Sequence, residues 1–383
     1  MSSRILVLGA GRVGRVIARD LHDDPTLDVT VADVRGDTLA ELAGRHGFKT
    51  QVADLSDPAE VYAAVRGYDL AVGALPGDMG LRSMEAVIDA GTRYVDISFM
   101  AEDPRHLADR ARDRGVPVVY DIGLAPGTSN VLLAQAVRRL APARFARYIV
   151  GGLPFERRLP WEYEAPFSPI DVVEEYTRPA RFVSGGEQRV RPALSDLEHF
   201  HFEPVGTLEG FLTDGLRSML DTIDCPHVEE KTLRYPGHAE RVRVLRDSGL
   251  FDDREVTVDG KSVNVRKATF AVLDKAWSQP ASPNEFTVMR IEAEGGPEGN
   301  RRIVWDLFDR TDPERGETSM ARTTGFPAAI CARAMLDGSL PVGPGVHPPE
   351  ALAGDDAFVQ RLLDELEKRG VSYRQREETA DRD

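Results

Sequence analysis

The chain opens on Arg4-Ile5-Leu6-Val7-Leu8, a continuous apolar run of strand length, and then places apolar residues at 13, 16, 17 and 21. The first pattern predicts a strand buried on both faces, and the second has the period of an amphipathic helix. The alternation continues. Strands are predicted at Val29 to Ala32, Thr50 to Val52, Leu70 to Gly73, Tyr94 to Ile97 and Val116 to Tyr120, with helices at Asp37 to His46, Pro58 to Val65, Leu81 to Ala90 and Pro104 to Arg114. Parallel strands need crossovers, and crossovers are right-handed, so this rhythm predicts an α/β fold: a doubly wound parallel sheet with helices on both faces.

After Gly127 the pattern changes. A helix is predicted at Asn130 to Leu140, a strand at Tyr148 to Gly152, and then a proline-rich stretch from Pro154 to Pro179. Asp259-Gly260-Lys261 between Glu255 to Val258 and Ser262 to Val265 is a hairpin signal, and Phe286 to Ala293 with Arg302 to Phe308 form a second candidate strand pair. The reading is a first domain over residues 1–126, an α+β domain over 127–318, and a helical segment over 319–373, with a helix at Met320 to Leu336, that packs back on the domains. Residues 374–383 lack apolar content from Gln375 onward and are expected to be a disordered tail.

The turn after the first strand reads Gly9-Ala10-Gly11-Arg12-Val13-Gly14. In a strand-to-helix turn the first glycine makes the bend, the second admits a pyrophosphate, and the third lets helix and strand pack closely, with the diphosphate at the positive helix end. Asp33 ends the second strand, where a carboxylate takes the adenosine ribose hydroxyls and repels a 2′-phosphate; this favours NAD over NADP, with Arg35 softening the preference. Asp54 ends the third strand and meets the adenine amine or caps the following helix. Ala74, Leu75 and Pro76 follow the fourth strand, where small residues let the chain pass close to the cofactor or simply make a turn. Gly9, Gly11, Arg12, Val13, Gly14, Asp33, Asp54, Ala74, Leu75 and Pro76 are therefore the candidate cofactor residues.

Composition narrows the function classes. Among 383 residues, 48 basic and 63 acidic side chains give a formal net charge of −15, which argues against binding a nucleic-acid backbone or an anionic membrane surface. With 42% hydrophobic and 29% charged residues the chain has the make-up of an ordinary globular protein. Cys225 and Cys331 are the only cysteines, so neither a disulfide framework nor a cysteine-rich metal site is expected, and no His/Cys/Asp cluster has metal-ligand spacing. The first strand leaves no room for a leader and no run reaches membrane length, so the expectation is a cytoplasmic protein.

Four segments then carry a resemblance. Tyr120-Asp121-Ile122-Gly123-Leu124-Ala125-Pro126-Gly127-Thr128-Ser129-Asn130, Gly151-Gly152-Leu153-Pro154, Lys231-Thr232-Leu233-Arg234-Tyr235-Pro236-Gly237-His238-Ala239-Glu240 and Arg322-Thr323-Thr324-Gly325-Phe326-Pro327-Ala328-Ala329 resemble ordered motifs of the saccharopine dehydrogenase-like superfamily. Their wording is most similar to the lysine 6-dehydrogenases. The resemblance implies a Rossmann domain joined to an α+β substrate and dimerisation domain, a homodimer, and NAD-linked oxidation at a C–N bond of a basic amino acid. Saccharopine dehydrogenases proper tend to read GLDPG, with an aspartate beside the substrate; position 125 here is Ala, which makes a saccharopine substrate less favoured. The implied reaction converts lysine to its 6-semialdehyde, which closes to 1-piperideine-6-carboxylate as ammonia leaves. The rivals are a saccharopine- or carboxynorspermidine-type dehydrogenase acting on a secondary amine, and a non-catalytic NAD-binding paralogue.

Hydride loss from a carbon bearing nitrogen requires a neutral amine, and hence a nearby base. Asp96 and Asp121 lie at the carboxyl ends of successive predicted strands, the edge where open α/β sheets bind ligands, and each pairs with a substrate ammonium, acts as the base, or caps a loop. His238 is a candidate proton relay, because an unperturbed imidazole titrates near neutrality. Arg234 either clamps the substrate α-carboxylate or forms an interdomain salt bridge. Tyr163, Glu164 and Tyr176 belong to the proline-rich stretch that walls the pocket, and Arg322 and Thr323, with Thr324, begin the last long helix, where backbone N–H groups hold an anion unless the threonines merely cap it.

Overall fold

The computed structural model describes residues 2–166, 169–280 and 283–379. The chain forms two compact units. One runs up to Gln135 and is completed by Ala321–Ser372; the other comprises Ala136–Met320 and the segment from Tyr373 onward. The domain change expected after residue 126 falls nine residues later, inside a helix, and the 319–373 segment belongs almost wholly to the first unit.

In the first unit, β1 (Ser3–Leu8), α1 (Arg12–His22), β2 (Leu27–Asp33), α2 (Gly36–His46), β3 (Lys49–Val52), α3 (Pro58–Val65), β4 (Leu70–Gly73), α4 (Gly77–Ala90), β5 (Arg93–Asp96), α5 (Ala108–Asp113), β6 (Pro117–Val119) and the first part of α6 (Thr128–Arg139) follow one another. The strands β6-β5-β4-β1-β2-β3 are neighbours in that order and all parallel, so the order reverses between β1 and β4. That reversal opens a crevice at the carboxyl ends of the strands. Ile5, Leu6, Val7 and Leu8 are wholly buried, which is why β1 reads as an unbroken apolar run. Asp57 caps α3 by accepting a hydrogen bond from the Ala59 amide, with Pro58 in the first turn, so one orphan donor is satisfied and another is absent. α4 starts at Gly77 rather than at Leu81: its first turn lies so close to Phe99 that a Cβ at Gly77 would stand 2.3 Å from the Phe99 carbonyl oxygen, and the glycine there hides the helix from a periodicity reading.

In the second unit, β7 (Ala143–Pro154), α7 (Pro169–Thr177), β8 (Ala180–Ser184), β9 (Glu187–Arg191), β10 (Glu198–Phe202), β11 (Gly206–Leu212), α8 (Met219–Thr222), β12 (His227–Arg234), α9 (His238–Asp247), β13 (Glu255–Val258), β14 (Lys261–Asn264), α10 (Val265–Ala276), β15 (Glu285–Gly295) and β16 (Arg301–Arg310) precede the return to the first unit through α11 (Ser319–Asp337). β17 (Gly345–His347) and α12 (Asp356–Lys368) then complete the first unit, and β18 (Tyr373–Thr379) ends the described chain. The large sheet runs β10-β11-β12-β7-β15-β16-β18, with β8 and β9 attached beside β12; β12 and β7 are parallel and the other pairs antiparallel, so this unit is α+β with a mixed sheet. Its core gathers Ile149, Tyr176, Phe211, Leu233, Trp277 and Phe286.

The C-terminal part adds one element and corrects one expectation. β17 pairs in parallel with β6 and makes the first sheet seven-stranded, a contribution three residues long that no pattern announced. The supposed tail is a strand: β18 pairs with β16 from Tyr373 to Thr379, because backbone pairing and cross-strand ion pairs such as Arg301 with Glu377 supply what apolar side chains do not. Residues 380–383 lie outside the described residues.

Candidate active site

The glycine turn has the geometry its spacing implies. Gly9 has a φ of +104°, and a Cβ there would stand 2.5 Å from the Ala74 carbonyl oxygen, so the first position accepts only glycine. A Cβ at Gly14 would stand 2.0 Å from the Gly9 carbonyl oxygen, whereas at Gly11 it would meet nothing within 4 Å. Gly11 is also the N-cap of α1 and supplies no side-chain acceptor to its first turn. Open space at the second glycine, at the positive end of an uncapped helix, fits the diphosphate of a dinucleotide. Arg12 is exposed and Val13 half-buried at the start of that helix. Ala74 is the surface on which the glycine turn packs, Leu75 enters the apolar core, and Pro76 precedes α4 as its N-cap.

Asp33 ends β2 and is buried. Its Oδ2 accepts from the Ala10 amide at 2.8 Å, and Arg35 clasps the carboxylate through its own amide, Nε and an Nη. Burial pushes this carboxyl up, but the bonds from Arg35 and Ala10 outweigh that and hold it below its usual range. The aspartate therefore remains ionised and fixes one amide of the glycine turn, while the Arg35 side chain that clasps it is 56% exposed. Asp54 is exposed and accepts from the amide and hydroxyl of Ser56, and the capping role weighed for it belongs to Asp57.

At the carboxyl edge of the same sheet Asp96 ends β5 with no exposure. Its Oδ1 accepts from the Tyr94 hydroxyl at 3.0 Å and from the Ser98 hydroxyl at 2.9 Å, and its Oδ2 from the Ser98 amide at 3.2 Å. Burial pushes its pKa up to about 7 against these bonds, and the charge of Asp121, at the end of the neighbouring β6, adds to the rise. Asp121 is buried with a φ of +55°, and the Ile122 amide after it donates to the Asp96 carbonyl oxygen at 3.1 Å. Two carboxyls thus stand at adjacent strand ends, one of them poised near neutrality, which suits proton transfer.

In the second unit, Arg234, Tyr176 and His238 form a buried chain of hydrogen bonds. Arg234 Nε donates to the Tyr176 hydroxyl at 3.0 Å, which lies 3.1 Å from His238 Nε2, while His238 Nδ1 lies 3.2 Å from the Trp161 carbonyl oxygen. A carbonyl only accepts, so Nδ1 carries the proton, Nε2 accepts, and the tyrosine donates to it. The guanidinium also donates to the Leu233 carbonyl and to Glu175 at 3.1 Å, and its carbon lies 4.6 Å from the centre of the Tyr163 ring. The salt bridge weighed for Arg234 therefore exists within one unit, with Glu175 as its partner. The argument for His238 as a relay is corrected: burial, followed by the charge of Arg234, pushes its pKa down to about 3, so this imidazole is neutral at ordinary pH and does not titrate there.

Arg322 and Thr323 do not begin the long helix. α11 starts at Ser319, where a first-turn amide, that of Met320, donates to the Glu285 carboxylate at 2.9 Å; Arg322 is buried and donates to the Arg369 carbonyl at 2.9 Å. The first four amides of a helix lack intrahelical acceptors, which leaves Thr323 beyond the set an anion would meet. Tyr163 packs against His238 and Trp277, and Glu164 is half-buried with its pKa raised by burial. Sequence reasoning missed Tyr94, although a period of two places it on the Asp96 face of β5, and it missed Glu175 and the Trp161 carbonyl, for which no signal exists. Among the described residues no group of three or more His, Cys, Asp or Glu side chains is placed to hold a metal ion, and no helix is long and apolar enough to cross a membrane.

Comparison with known proteins gives this geometry a family. The Saccharopine dehydrogenase NADP binding domain matches residues 5–119, and the Saccharopine dehydrogenase C-terminal domain matches residues 123–371. The L-glutamate-forming, NADP(+) saccharopine dehydrogenase of Saccharomyces cerevisiae is 23% identical over 440 aligned positions, covering 95% of this chain and 97% of that protein. Mitochondrial alpha-aminoadipic semialdehyde synthase of Mus musculus is also 23% identical, over 65% of this chain, which spans 28% of that longer protein. Among solved structures, apo saccharopine dehydrogenase (L-Glu forming) from S. cerevisiae superposes with a TM-score of 0.82 at 19% identity, covering 99% of this chain and all of that one. A homospermidine synthase from Legionella pneumophila in complex with NAD gives a TM-score of 0.71 at 12% identity, covering all of this chain and 92% of the other. With family domains matched over residues 5–119 and 123–371, the chain belongs to the saccharopine dehydrogenase family.

Proposed function

We propose that the chain is a cytoplasmic, homodimeric dehydrogenase that uses NAD to oxidise the side-chain amine of L-lysine or a closely related diamino acid. The observation that carries this reading is Asp96: a buried carboxyl with a pKa near 7, at the same sheet edge as the glycine turn. Gly9, Gly11, Gly14 and Asp33 would hold the dinucleotide, which supplies the hydride acceptor. Ionised Asp33 supports NAD, because a 2′-phosphate beside it meets a like charge.

Asp96 takes the proton from the substrate ammonium, freeing the nitrogen lone pair that drives hydride loss from the adjacent carbon. Asp121, just beyond the end of the neighbouring strand, is the second carboxyl beside the cation that remains as the imine. Water then adds to that imine, ammonia leaves, and the 6-semialdehyde closes on its own α-amine. Within the second unit, Arg234 is the guanidinium suited to an α-carboxylate, with Glu175 sharing it and Tyr176 fixing its Nε.

Lysine with NAD as the sole reactants should generate NADH at a steady rate. The second reading, oxidation of a secondary amine, is favoured by the similarity to saccharopine dehydrogenases and opposed by Ala125; it requires a pre-formed conjugate such as saccharopine. NADH from saccharopine and none from lysine would establish it in place of the first. Dinucleotide binding with no turnover of diamino acids, diamines or saccharopine would leave a non-catalytic paralogue.

A further inference from the structure

Tyr94 is wholly buried, and its hydroxyl is directed at one carboxyl oxygen. Room for that pairing comes from the neighbouring strand: a Cβ on Gly73, at the end of β4, would stand 2.0 Å from the Tyr94 hydroxyl oxygen and 2.2 Å from Asp96 Oδ1. No side chain fits there, so Gly73 is shaped around the tyrosine–aspartate pair rather than around a turn. The Ile97 amide, just after the aspartate, donates to the Gly73 carbonyl at 3.1 Å and holds the two strand ends in register. Oδ1 thus carries two hydroxyl donors, from Tyr94 and Ser98, while Oδ2 carries only the Ser98 amide. An unequal pair of oxygens leaves Oδ2 with more room to accept a proton.

We infer that Tyr94 is a positioning residue: seated against Gly73, its hydroxyl holds Asp96 Oδ1 and leaves Oδ2 to take the proton of the substrate ammonium. The inference rests on the reading of Asp96 as the base. The titratable groups facing this carboxyl are Tyr94 from its own strand and Asp121 from the turn after β6; β4 presents only the bare Gly73. Of these, the tyrosine alone stabilises the ionised form, because it donates a hydrogen bond to it, and the aspartate opposes ionisation through its charge.

Two changes at one atom test the inference with opposite signs. Tyr94→Phe removes the donor and should move the acidic limb of the kcat/KM profile with lysine upward by about half to one pH unit. Incorporation of 3-fluorotyrosine at position 94 makes the phenol a stronger donor without removing any atom of the ring, and should move the same limb downward. A limb that stays fixed in the fluorotyrosine protein, or that moves in one direction for both changes, would overturn the inference, even if Tyr94→Phe should fail to fold. Asp96→Asn separates the underlying reading: retained turnover there removes Asp96 as the base, whereas lost turnover with an unmoved limb at position 94 refutes the role of the tyrosine alone.

Discussion

Replacing Gly11 by Ala separates cofactor binding from folding at a single methyl group. Gly11 has φ −70° and ψ −173°, extended backbone that alanine adopts freely, and its Cβ would meet nothing within 4 Å. The folded chain has no steric reason to object, and alanine restricts the unfolded chain, so stability should stay level or rise by about 0.4–1 kcal/mol. If the open space is where the diphosphate approaches, the methyl displaces charge-assisted hydrogen bonds of about 1.5–3 kcal/mol, a loss of roughly ten- to a hundredfold in NAD affinity. Gly14→Ala is the counterpart: its Cβ would stand 2.0 Å from the Gly9 carbonyl oxygen, and α1 would have to move off β1. Thermal melts without cofactor, with NADH fluorescence titrations alongside, read both quantities. The expected result is a Gly11→Ala protein that melts like the parent and binds poorly, beside a Gly14→Ala protein that fails to accumulate folded. A Gly11→Ala protein with parental NAD affinity would refute the placement of the diphosphate.

Other perturbations follow from the same contacts. Asp33→Ala should raise KM for NAD about ten- to a hundredfold with little change in kcat, and should improve NADP because Arg35 is released; Arg35→Ala should sharpen the NAD preference, and steady-state kinetics with both coenzymes decide. Asp96→Asn should lower kcat by about 10²–10⁴-fold, and the parent should lose activity as pH falls through about 7. Because burial raises this carboxyl, its ionisation opposes folding as pH rises from its ordinary value to about 7, so Asp96→Asn should melt no lower than the parent at pH 8. Arg234→Ala should weaken amino acid substrates far more than a diamine lacking the carboxylate, and equal losses for the two would count against a clamp. His238, lowered to about 3, binds a proton more readily unfolded than folded, so its contribution to stability is complete above pH 6.5 and declines toward pH 3; melts of His238→Gln should show a shallower acid dependence.

The sequence reading succeeded where one residue type answers one physical demand. Gly9 and Gly14 are glycines because carbonyl oxygens occupy the place of a side chain, and β1 is uninterrupted Ile-Leu-Val-Leu because helices cover both faces of its sheet. It failed where structure depends on distant partners. Nothing in Gly345-Val346-His347 marks a strand; β6 makes it one. Tyr-Arg-Gln-Arg-Glu-Glu-Thr looks like a solvated end until β16 supplies backbone and opposite charges beside it. His238 illustrates the same limit in the candidate site: its type suggested a titrating group, and only burial among Trp161, Tyr163 and Tyr176, with the nearby Arg234 charge, keeps it neutral.

β17 and the segment around it have a consequence for how the polypeptide comes into being. The first unit needs residues as late as Ser372: β17 covers the outer edge of β6, and the buried Asp20 in α1 is neutralised by Arg333 from α11 and Arg369 after α12. A ribosome that has synthesised the glycine turn and six of its strands has therefore still to deliver the seventh, together with both cations for an aspartate already turned inward. Folding of the N-terminal unit cannot finish in the order of synthesis. A chain halted after residue 135 should leave β6 as an open edge and Asp20 uncompensated, and should aggregate or bind chaperones rather than accumulate as a small dinucleotide-binding domain.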